Sequence, residues 1–193
     1  KLDEIGQAAN TVIIFTSDNG YYLGERWLAD KWYLHEESVR TPLIIFDPRL
    51  PRGRRGRRRR EMTLNLDLAP TMLDVAGLRP PASMQGRSLL PLVRGERISW
   101  RTEFFYSHLF QHPGIPKSEG IRNERWMYAR YIDTDPLYEE LYDLRTDPFE
   151  EHNLARDPSA SEQLQAMRNR WQAWRDALAG WRPDASWQDP ALS

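Results

Sequence analysis

The chain has 193 residues, of which 40% are hydrophobic and 28% charged, proportions typical of a folded globular protein. It contains no cysteine, which excludes disulfides, thiolate metal sites and a cysteine nucleophile within this sequence. Seven of its 27 basic residues lie in the run RGRRGRRRR at 52–60, which leaves 20 basic against 28 acidic residues elsewhere. This acidic remainder argues against a nucleic-acid partner. No apolar run reaches the ~20 residues that a membrane span needs.

The first ten residues place Leu2, Ile5 and Ala9 on one helical face, so the sequence predicts the last turns of a helix there. This segment has no signal-peptide pattern and does not begin with Met. We interpret the chain as a piece of a longer protein.

Residues 11–48 carry the densest group of reactive side chains. The β-branched run 11–15 and the run 43–46 predict two buried strands. Because ligands of open α/β sheets bind at the carboxyl ends of strands, the polar residues that follow the first strand predict one edge of an active site. These polar residues are Asp18, Asn19, Lys31 and His35.

Each of these residues also has a structural interpretation. Asp18 and Asn19 offer the hard oxygen atoms that Ca²⁺ or Mg²⁺ selects, but Asp-Asn-Gly is equally a tight-turn sequence, which the three residues alone favour. The ammonium of Lys31 would stabilise an oxyanion, or would pair with a nearby carboxylate. His35 would act as a general acid, contact an anion, or have only a structural role.

The run 52–60 favours a solvated surface loop over a polyanion-binding patch, because the rest of the chain is acidic and no aromatic residues are interleaved. Residues 66–77 predict a helix with Gly77 at its C-cap. Aromatic runs at 103–107, 126–132 and 140–144 predict a small antiparallel sheet. Residues 160–180 predict an amphipathic helix whose Trp171 and Trp174 pack on that sheet.

Several motifs resemble the C-terminal half of the sulfatase family, in the alkaline-phosphatase-like superfamily. TSDNG, GE, DK, EES and RTPLIIF follow one another between residues 16 and 46. The helix at 66–77 with MQGRSL at 84–89, EGIR at 119–122 and ELYDL at 140–144 are similar to later motifs of the family. The resemblance covers about residues 11–157.

The resemblance implies an α/β fold in which residues 1–100 are the trailing part of an alkaline-phosphatase-like mixed sheet with flanking helices. Residues 101–182 would form a smaller domain, an antiparallel sheet with a C-terminal helix, and 183–193 a loose tail. Separated from its partner strands, the first part is expected to expose apolar edges.

The resemblance also implies hydrolysis of a sulfate ester by metal-assisted sulfuryl transfer. Asp18 and Asn19 match the residues that ligate the family's divalent cation, usually Ca²⁺, with Mg²⁺ as the alternative. Lys31 matches the catalytic lysine that contacts the sulfate. Arg26 and His35 are further candidates for substrate binding, although relatives often have His and Tyr at these two positions.

In the family the nucleophile is a formylglycine, made from a Cys or Ser that lies far N-terminal to these motifs. No such motif is present in this sequence, so the 193 residues alone are expected to be inactive. The alternatives are a truncated or degenerate sulfatase-like module without catalysis, and a phosphomonoester or phosphonate hydrolase of the same superfamily. The implied partner is a sulfated small molecule or carbohydrate. Relatives are often exported, which makes a periplasmic or extracellular location plausible.

Overall fold

The computed structural model describes residues 1–181 and 190–192. The predicted loose tail at 183–193 therefore lies outside the described residues, apart from 190–192. The strands and α-helices are β1 (Ile13–Thr16), β2 (Tyr22–Leu23), β3 (Ala29–Asp30), α1 (Glu36–Val39), β4 (Leu43–Phe46), α2 (Leu68–Val75), α3 (Leu90–Arg94), β5 (Glu103–His108), β6 (Ser118–Asn123), β7 (Trp126–Tyr131), β8 (Tyr138–Asp143) and α4 (Ser161–Gly180).

These elements form two compact units. The first unit contains Lys1–Asp18 and Thr41–Trp100, and the second contains Asn19–Arg40, Arg101–Trp181 and 190–192. The sequence had assigned residues 19–40 to the first domain, whereas the structure groups them with the second unit. The physical reason is that Leu34 is buried in a cluster with residues of β7 and β8.

The first unit is built on the antiparallel pair β1 and β4, in which Ile14 lies opposite Ile45. Ile45 and Leu43 pack against Leu89, Leu92 and Trp100, which form the buried core of this unit. The other face of the pair is apolar and exposed; it consists of Ile13, Phe15, Ile44 and Phe46, with exposed fractions of 44%, 59%, 61% and 41%.

Two expectations for the first unit were wrong. The two strands were predicted to be buried, but the side that carries Phe15 and Ile44 is exposed among the described residues, in line with the apolar exposure expected for this part when it is separated from its partner strands. The N-terminal residues do not continue a helix either. Gly6 has a φ of +68°, a left-handed conformation that ends the first turn, and a 3-10 turn follows at Ala8–Asn10.

Helix α2 confirms the helix predicted at 66–77. Gly77 has a φ of +73° and its N–H lies 3.0 Å from the carbonyl of Asp74, so it caps the helix as expected. Asp67 precedes the helix and is fully buried, with its carboxylate accepting hydrogen bonds from the N–H groups of Leu64 (2.8 Å) and Arg87 (2.9 Å). Asp67 thereby ties the loop at 84–89 to the start of α2.

The second unit contains an antiparallel sheet in which the described strands follow the order β5–β6–β7–β8. The three strands predicted from the aromatic runs are confirmed, and β6 lies between β5 and β7. Trp171 and Trp174 of α4 are buried, and their indole nitrogens donate hydrogen bonds to Glu119 (3.2 Å) and Glu103 (2.8 Å). Residues of β7 are buried on both faces, because α4 covers one side and residues around Leu34 cover the other.

Among the described residues, no helix combines the length and the apolar character that crossing a bilayer requires. Helix α4 is long enough, at 20 residues, but its exposed side carries arginine, glutamate and glutamine.

Candidate functional site

Asp18 follows β1 and is the last residue of the first segment, Lys1–Asp18, of the first unit. Its side chain is exposed, and the hydroxyl of Ser17 lies 3.4 Å from Oδ1. The backbone carbonyl of Asp18 accepts a hydrogen bond from Nδ2 of Asn65, a residue of the 3-10 turn that leads into α2. This bond holds the backbone of the turn that presents the carboxylate.

Asn19 and Gly20 begin the second unit. Nδ2 of Asn19 donates to the carbonyl of Gly20 at 2.6 Å, and the N–H of Gly20 donates to the carbonyl of Ser38 at 2.8 Å. A Cβ atom at Gly20 would collide with the carbonyl of Glu37 and would lie 3.0 Å from that of Arg40. Glycine is therefore required here, because the backbone runs directly against the end of α1.

The donor chemistry of Asp18 and Asn19 fits the divalent cation that the family implies. The two residues are adjacent along the chain and supply a carboxylate and an amide oxygen, which are ligands that hard cations take. The amide nitrogen of Asn19 is directed at the backbone, which makes oxygen the ligating end of the side chain. Because Ca²⁺ takes about six to eight oxygen ligands, the pair fits as part of a ligand set.

One other group of potential ligands occurs within the described residues, and it consists of Asp147, Glu151 and His152. The carboxylate of Asp147 accepts hydrogen bonds from the N–H groups of Glu151 (3.0 Å) and His152 (2.9 Å). This group is therefore explained as a backbone turn that Asp147 closes.

Lys31 is half-buried and lies between two anchored residues of the second unit. Asp30 pairs with Tyr22 in the β2–β3 hairpin, and the carbonyl of Trp32 accepts a hydrogen bond from the hydroxyl of Tyr106 at 2.8 Å. The indole of Trp32 also stacks on Phe110, with ring centroids 6.1 Å apart. The backbone at Lys31 is thus held on both sides, which limits where its ammonium can go.

His35 lies in the core of the second unit, with only 3% of its surface exposed. The hydroxyl of Tyr22 lies 2.8 Å from Nδ1, and Oε2 of Glu140 lies 2.9 Å from Nε2. Burial raises the pKa of Tyr22 far above its usual range, so its hydroxyl stays protonated. Because an ionised carboxylate only accepts hydrogen bonds, Nε2 carries a proton and donates to Glu140. Direct substrate contact by His35 would require breaking one of these two bonds.

Arg26 is likewise engaged within the second unit. Its guanidinium donates to the carbonyl of Glu150 at 2.6 Å and to that of Phe149, and Nη2 lies 3.3 Å from the Glu150 carboxylate. The backbone φ of Arg26 is +57° and that of Trp27 is +59°, conformations that cost roughly 1–2 kcal/mol per residue. The guanidinium contacts therefore hold a strained hairpin in place.

Glu150 is a central residue that the sequence did not reveal. Its side chain is fully buried and accepts from the N–H of Glu36 at 3.0 Å, while Arg122 lies 3.5 Å away. Burial raises the pKa of Glu150, because the loss of solvation outweighs the N–H bond and the long contacts with Arg26 and Arg122. Nothing in the local sequence marks this residue.

Glu140 is a second residue whose role the sequence did not reveal, although its position in a predicted strand gives an indication of it. It is a charged residue in a strand and is followed by the buried Leu141 and Tyr142, and a carboxylate buried there requires partners. Its partners are His35, Tyr131 at 3.1 Å and Tyr138 at 3.3 Å. Together with Glu150, it fastens the segment that carries Asn19 and Lys31 to the sheet of the second unit.

The chain is similar to known proteins in sequence and in fold. Residues 24–177 match the family described as "N-sulphoglucosamine sulphohydrolase, C-terminal". An N-acetylglucosamine-6-O-sulfatase from Bacteroides thetaiotaomicron is 36% identical over 160 residues, which are 79% of this chain and 28% of that protein.

Two solved structures have a similar fold. One is a complex with its substrate, D-glucosamine-2-N,6-O-disulfate; it superposes with a TM-score of 0.83 at 30% identity, over 95% of this chain and 37% of the other. The other is a phosphonate monoester hydrolase of Agrobacterium radiobacter, with a TM-score of 0.78 at 29% identity, over 91% of this chain and 37% of the other. The predicted α/β fold of the alkaline-phosphatase-like type is confirmed. The chain spans less than two fifths of the length of each of these three proteins.

Proposed function

We propose, from the premise that this chain belongs to the sulfatase family, that the protein hydrolyses a sulfate ester. The observation that carries the proposal is the match to the sulphohydrolase C-terminal region over residues 24–177, which include Lys31. Asp18 and Asn19 precede that match by a few residues, and we call Asp18, Asn19 and Lys31 together the half-site.

In this half-site Lys31 is the catalytic residue, and its ammonium contacts the sulfate and neutralises charge on the oxygen that leaves. Asp18 and Asn19 would hold the divalent cation, Ca²⁺ or Mg²⁺. When bound, the cation polarises the sulfate oxygens as a Lewis acid. The formylglycine nucleophile of the family cannot come from these 193 residues, which contain no cysteine and no matching serine motif.

The remaining predicted residues support this site from within the chain. His35 positions the segment that follows Lys31, because it joins that segment to Glu140. Arg26 fixes the hairpin that precedes Lys31, because it donates to the carbonyls of Phe149 and Glu150. We therefore assign to His35 and Arg26 a positioning role in place of the substrate contacts expected from the sequence.

The substrate class that we propose is a sulfated carbohydrate, in particular a sulfated glucosamine. Support comes from the relative named as an N-acetylglucosamine-6-O-sulfatase and from the similar structure that holds D-glucosamine-2-N,6-O-disulfate.

A phosphonate monoester hydrolase is the second candidate, because a structure of that activity superposes with a TM-score of 0.78. The ammonium of Lys31 and an oxygen-bound cation suit either tetrahedral anion. A module without catalysis is the third.

The experiment that separates these candidates uses the full-length protein encoded by the gene that contains this chain. Hydrolysis of N-acetylglucosamine 6-sulfate, an aryl sulfate and a phenyl phosphonate monoester is measured side by side. We expect kcat/KM for the better sulfate ester to exceed that for the phosphonate by at least about a hundredfold, close to 3 kcal/mol of transition-state discrimination. A faster phosphonate reaction would establish the second candidate, and hydrolysis of none of the three would establish the module.

A further inference from the structure

The arginine run at 52–60 lies in the first unit and takes no part in the half-site. All of its residues are exposed. Hydrogen bonds nevertheless attach the run to the rest of the first unit. It begins with a 3-10 turn at Arg52–Arg54, and the side chain of Arg55 donates to the carbonyls of Leu50 (2.8 Å) and Pro48 (2.6 Å). The run therefore has a defined conformation on the surface of the first unit.

The side chains of the run differ from many other arginines of this protein in their partners. Many arginines elsewhere pair with carboxylates, as Arg125 does with Asp143 at 2.7 Å and Arg175 with Glu119 at 3.2 Å. In the described part of the chain, the side-chain hydrogen bonds of the run go to backbone carbonyls instead. No ion pair of the described residues joins a side chain of the run to a carboxylate, although Glu61 follows the run and Glu96, which lies 4.0 Å from Arg94, follows Gly95.

Two of these guanidinium groups converge on Gly95, which follows α3. Nη1 of Arg54 donates to the carbonyl of Arg94 at 2.9 Å, at the helix end whose carbonyls attract cations. A Cβ atom added at Gly95 would lie 2.7 Å from Nη1 of Arg54 and 2.5 Å from Nη2 of Arg59. The two cations are therefore neighbours, and they fit there because Gly95 has no side chain.

Like charges held this close repel each other, and an anion placed between them relieves the repulsion. Planar guanidinium groups present forked donors that match the oxygens of a sulfate group. We propose that Arg54, Arg59 and Gly95 form a binding site for a sulfate group of a polyanionic carbohydrate, and that the rest of the run, 52–60, extends this site into a docking surface.

The choice of a sulfated polysaccharide over a nucleic acid rests on two points. The run contains no aromatic residue on which bases could stack, and stacking is a main source of affinity for single strands. The proposed function also supplies a sulfated carbohydrate as the substrate, so for the identity of the partner this inference rests on that function. The anion site itself does not.

The test measures binding of a heparin octasaccharide, its fully desulfated counterpart and a single-stranded oligonucleotide of matched charge by calorimetry. We expect the sulfated octasaccharide to bind, with an affinity that falls as salt is added, and the other two to bind at least about tenfold more weakly. The double variant Arg54→Gln/Arg59→Gln should lose about tenfold in affinity. The matched control Arg79→Gln/Arg145→Gln removes the same charge from exposed arginines outside the run and should change affinity less than about twofold.

A second pair of variants tests the geometry without changing charge. Gly95→Ala and Gly77→Ala both place a side chain on a left-handed residue after a helix, with φ of +76° and +73°. A Cβ atom meets the two guanidinium groups at Gly95 and nothing within 4 Å at Gly77. Both variants should lose similar stability, and only Gly95→Ala should weaken binding of the octasaccharide.

Equal losses from the Arg54/Arg59 variant and its control, or from both glycine variants, would overturn the site. Tighter binding of the oligonucleotide would overturn the partner. Hydrolysis of a sulfated monosaccharide by the full-length protein separates the two proposals: its absence, with octasaccharide binding intact, removes the proposed function and leaves the anion site standing.

Discussion

His35 and Glu140 are 105 residues apart in the sequence, and Nε2 of the histidine lies 2.9 Å from Oε2 of the glutamate in the core of the second unit. Both residues are buried, at 3% and 6% exposure. Because a buried carboxylate requires donors, the pair couples the segment after Lys31 to strand β8. The proposed catalytic lysine is therefore located by contacts in the C-terminal sheet.

Replacing His35 by Ala should lower the free energy of unfolding by about 3 kcal/mol, because it removes a donor from the buried Glu140 carboxylate and leaves the Tyr22 hydroxyl without this hydrogen-bond partner. His152→Ala is the control, since that side chain is 80% exposed, and it should change stability by less than about 0.5 kcal/mol. Urea denaturation measures both. Similar losses in the two variants would mean that the buried pair contributes nothing.

Glu150 should make the protein less stable as the pH rises. Its pKa in the folded state lies above the usual value of about 4.5, so between these two values the folded state binds more protons than the unfolded state. The parent should therefore lose stability above about pH 4.5 relative to Glu150→Gln, which carries no titratable group there.

Asp143→Asn is the control of opposite sign. Arg125 holds the pKa of Asp143 below its usual value of about 3.8, so the advantage of the parent over this variant is present above that pH and disappears as the pH falls through the lowered pKa. Chemical denaturation across a pH series gives both differences. A flat difference between the parent and Glu150→Gln would contradict the raised pKa.

Gly20→Ala should destabilise the protein by about 1–3 kcal/mol, because the added Cβ atom collides with the Glu37 carbonyl and forces the backbone away from α1. Gly53→Ala provides the comparison, since nothing lies within 4 Å of its Cβ position and its φ is not in the left-handed range. Thermal unfolding should show a lower Tm for Gly20→Ala and little change for Gly53→Ala. An unchanged Tm for Gly20→Ala would show that the close approach is not real.

Local patterns in the sequence were sufficient for the elements whose signal is local. The helical spacing of Leu164, Met167, Trp171 and Trp174 predicted α4 and its buried face, and the aromatic runs predicted strands of the second sheet. The degree of burial of β1 was not predictable. The hydrophobic character of a side chain such as Phe15 indicates that it favours burial, but it does not show whether another segment packs against it.

For the candidate site, the motifs selected Asp18, Asn19 and Lys31, whose roles stay predictions. The partners of His35 and Arg26 could not be found in this way. Arg26 and Glu150 are separated by 124 residues, and a contact between distant residues leaves no periodic trace in the sequence. Residues 19–40 joined the second unit for the same reason.

Lys31→Ala in the full-length protein should lower kcat for a sulfate ester by about a hundredfold or more and change KM much less, because the ammonium acts mainly on charge that develops in the transition state. Lys117→Ala is a matched control. Among the ion pairs of the described residues, the ammonium of Lys117 pairs with Asp133, at 3.4 Å. A change in KM with kcat preserved would assign Lys31 to ground-state binding.

Asp18 and Asn19 are proposed to hold a cation that acts on a sulfate ester. The direct measurement is the inorganic sulfate that the full-length protein releases from N-acetylglucosamine 6-sulfate, with Ca²⁺ present and after its removal by a chelator. We predict that release falls by at least about a hundredfold on chelation and returns with Ca²⁺, and that Asp18→Ala shows the same loss at ordinary Ca²⁺ concentrations. Undiminished release after chelation and in Asp18→Ala would contradict the account.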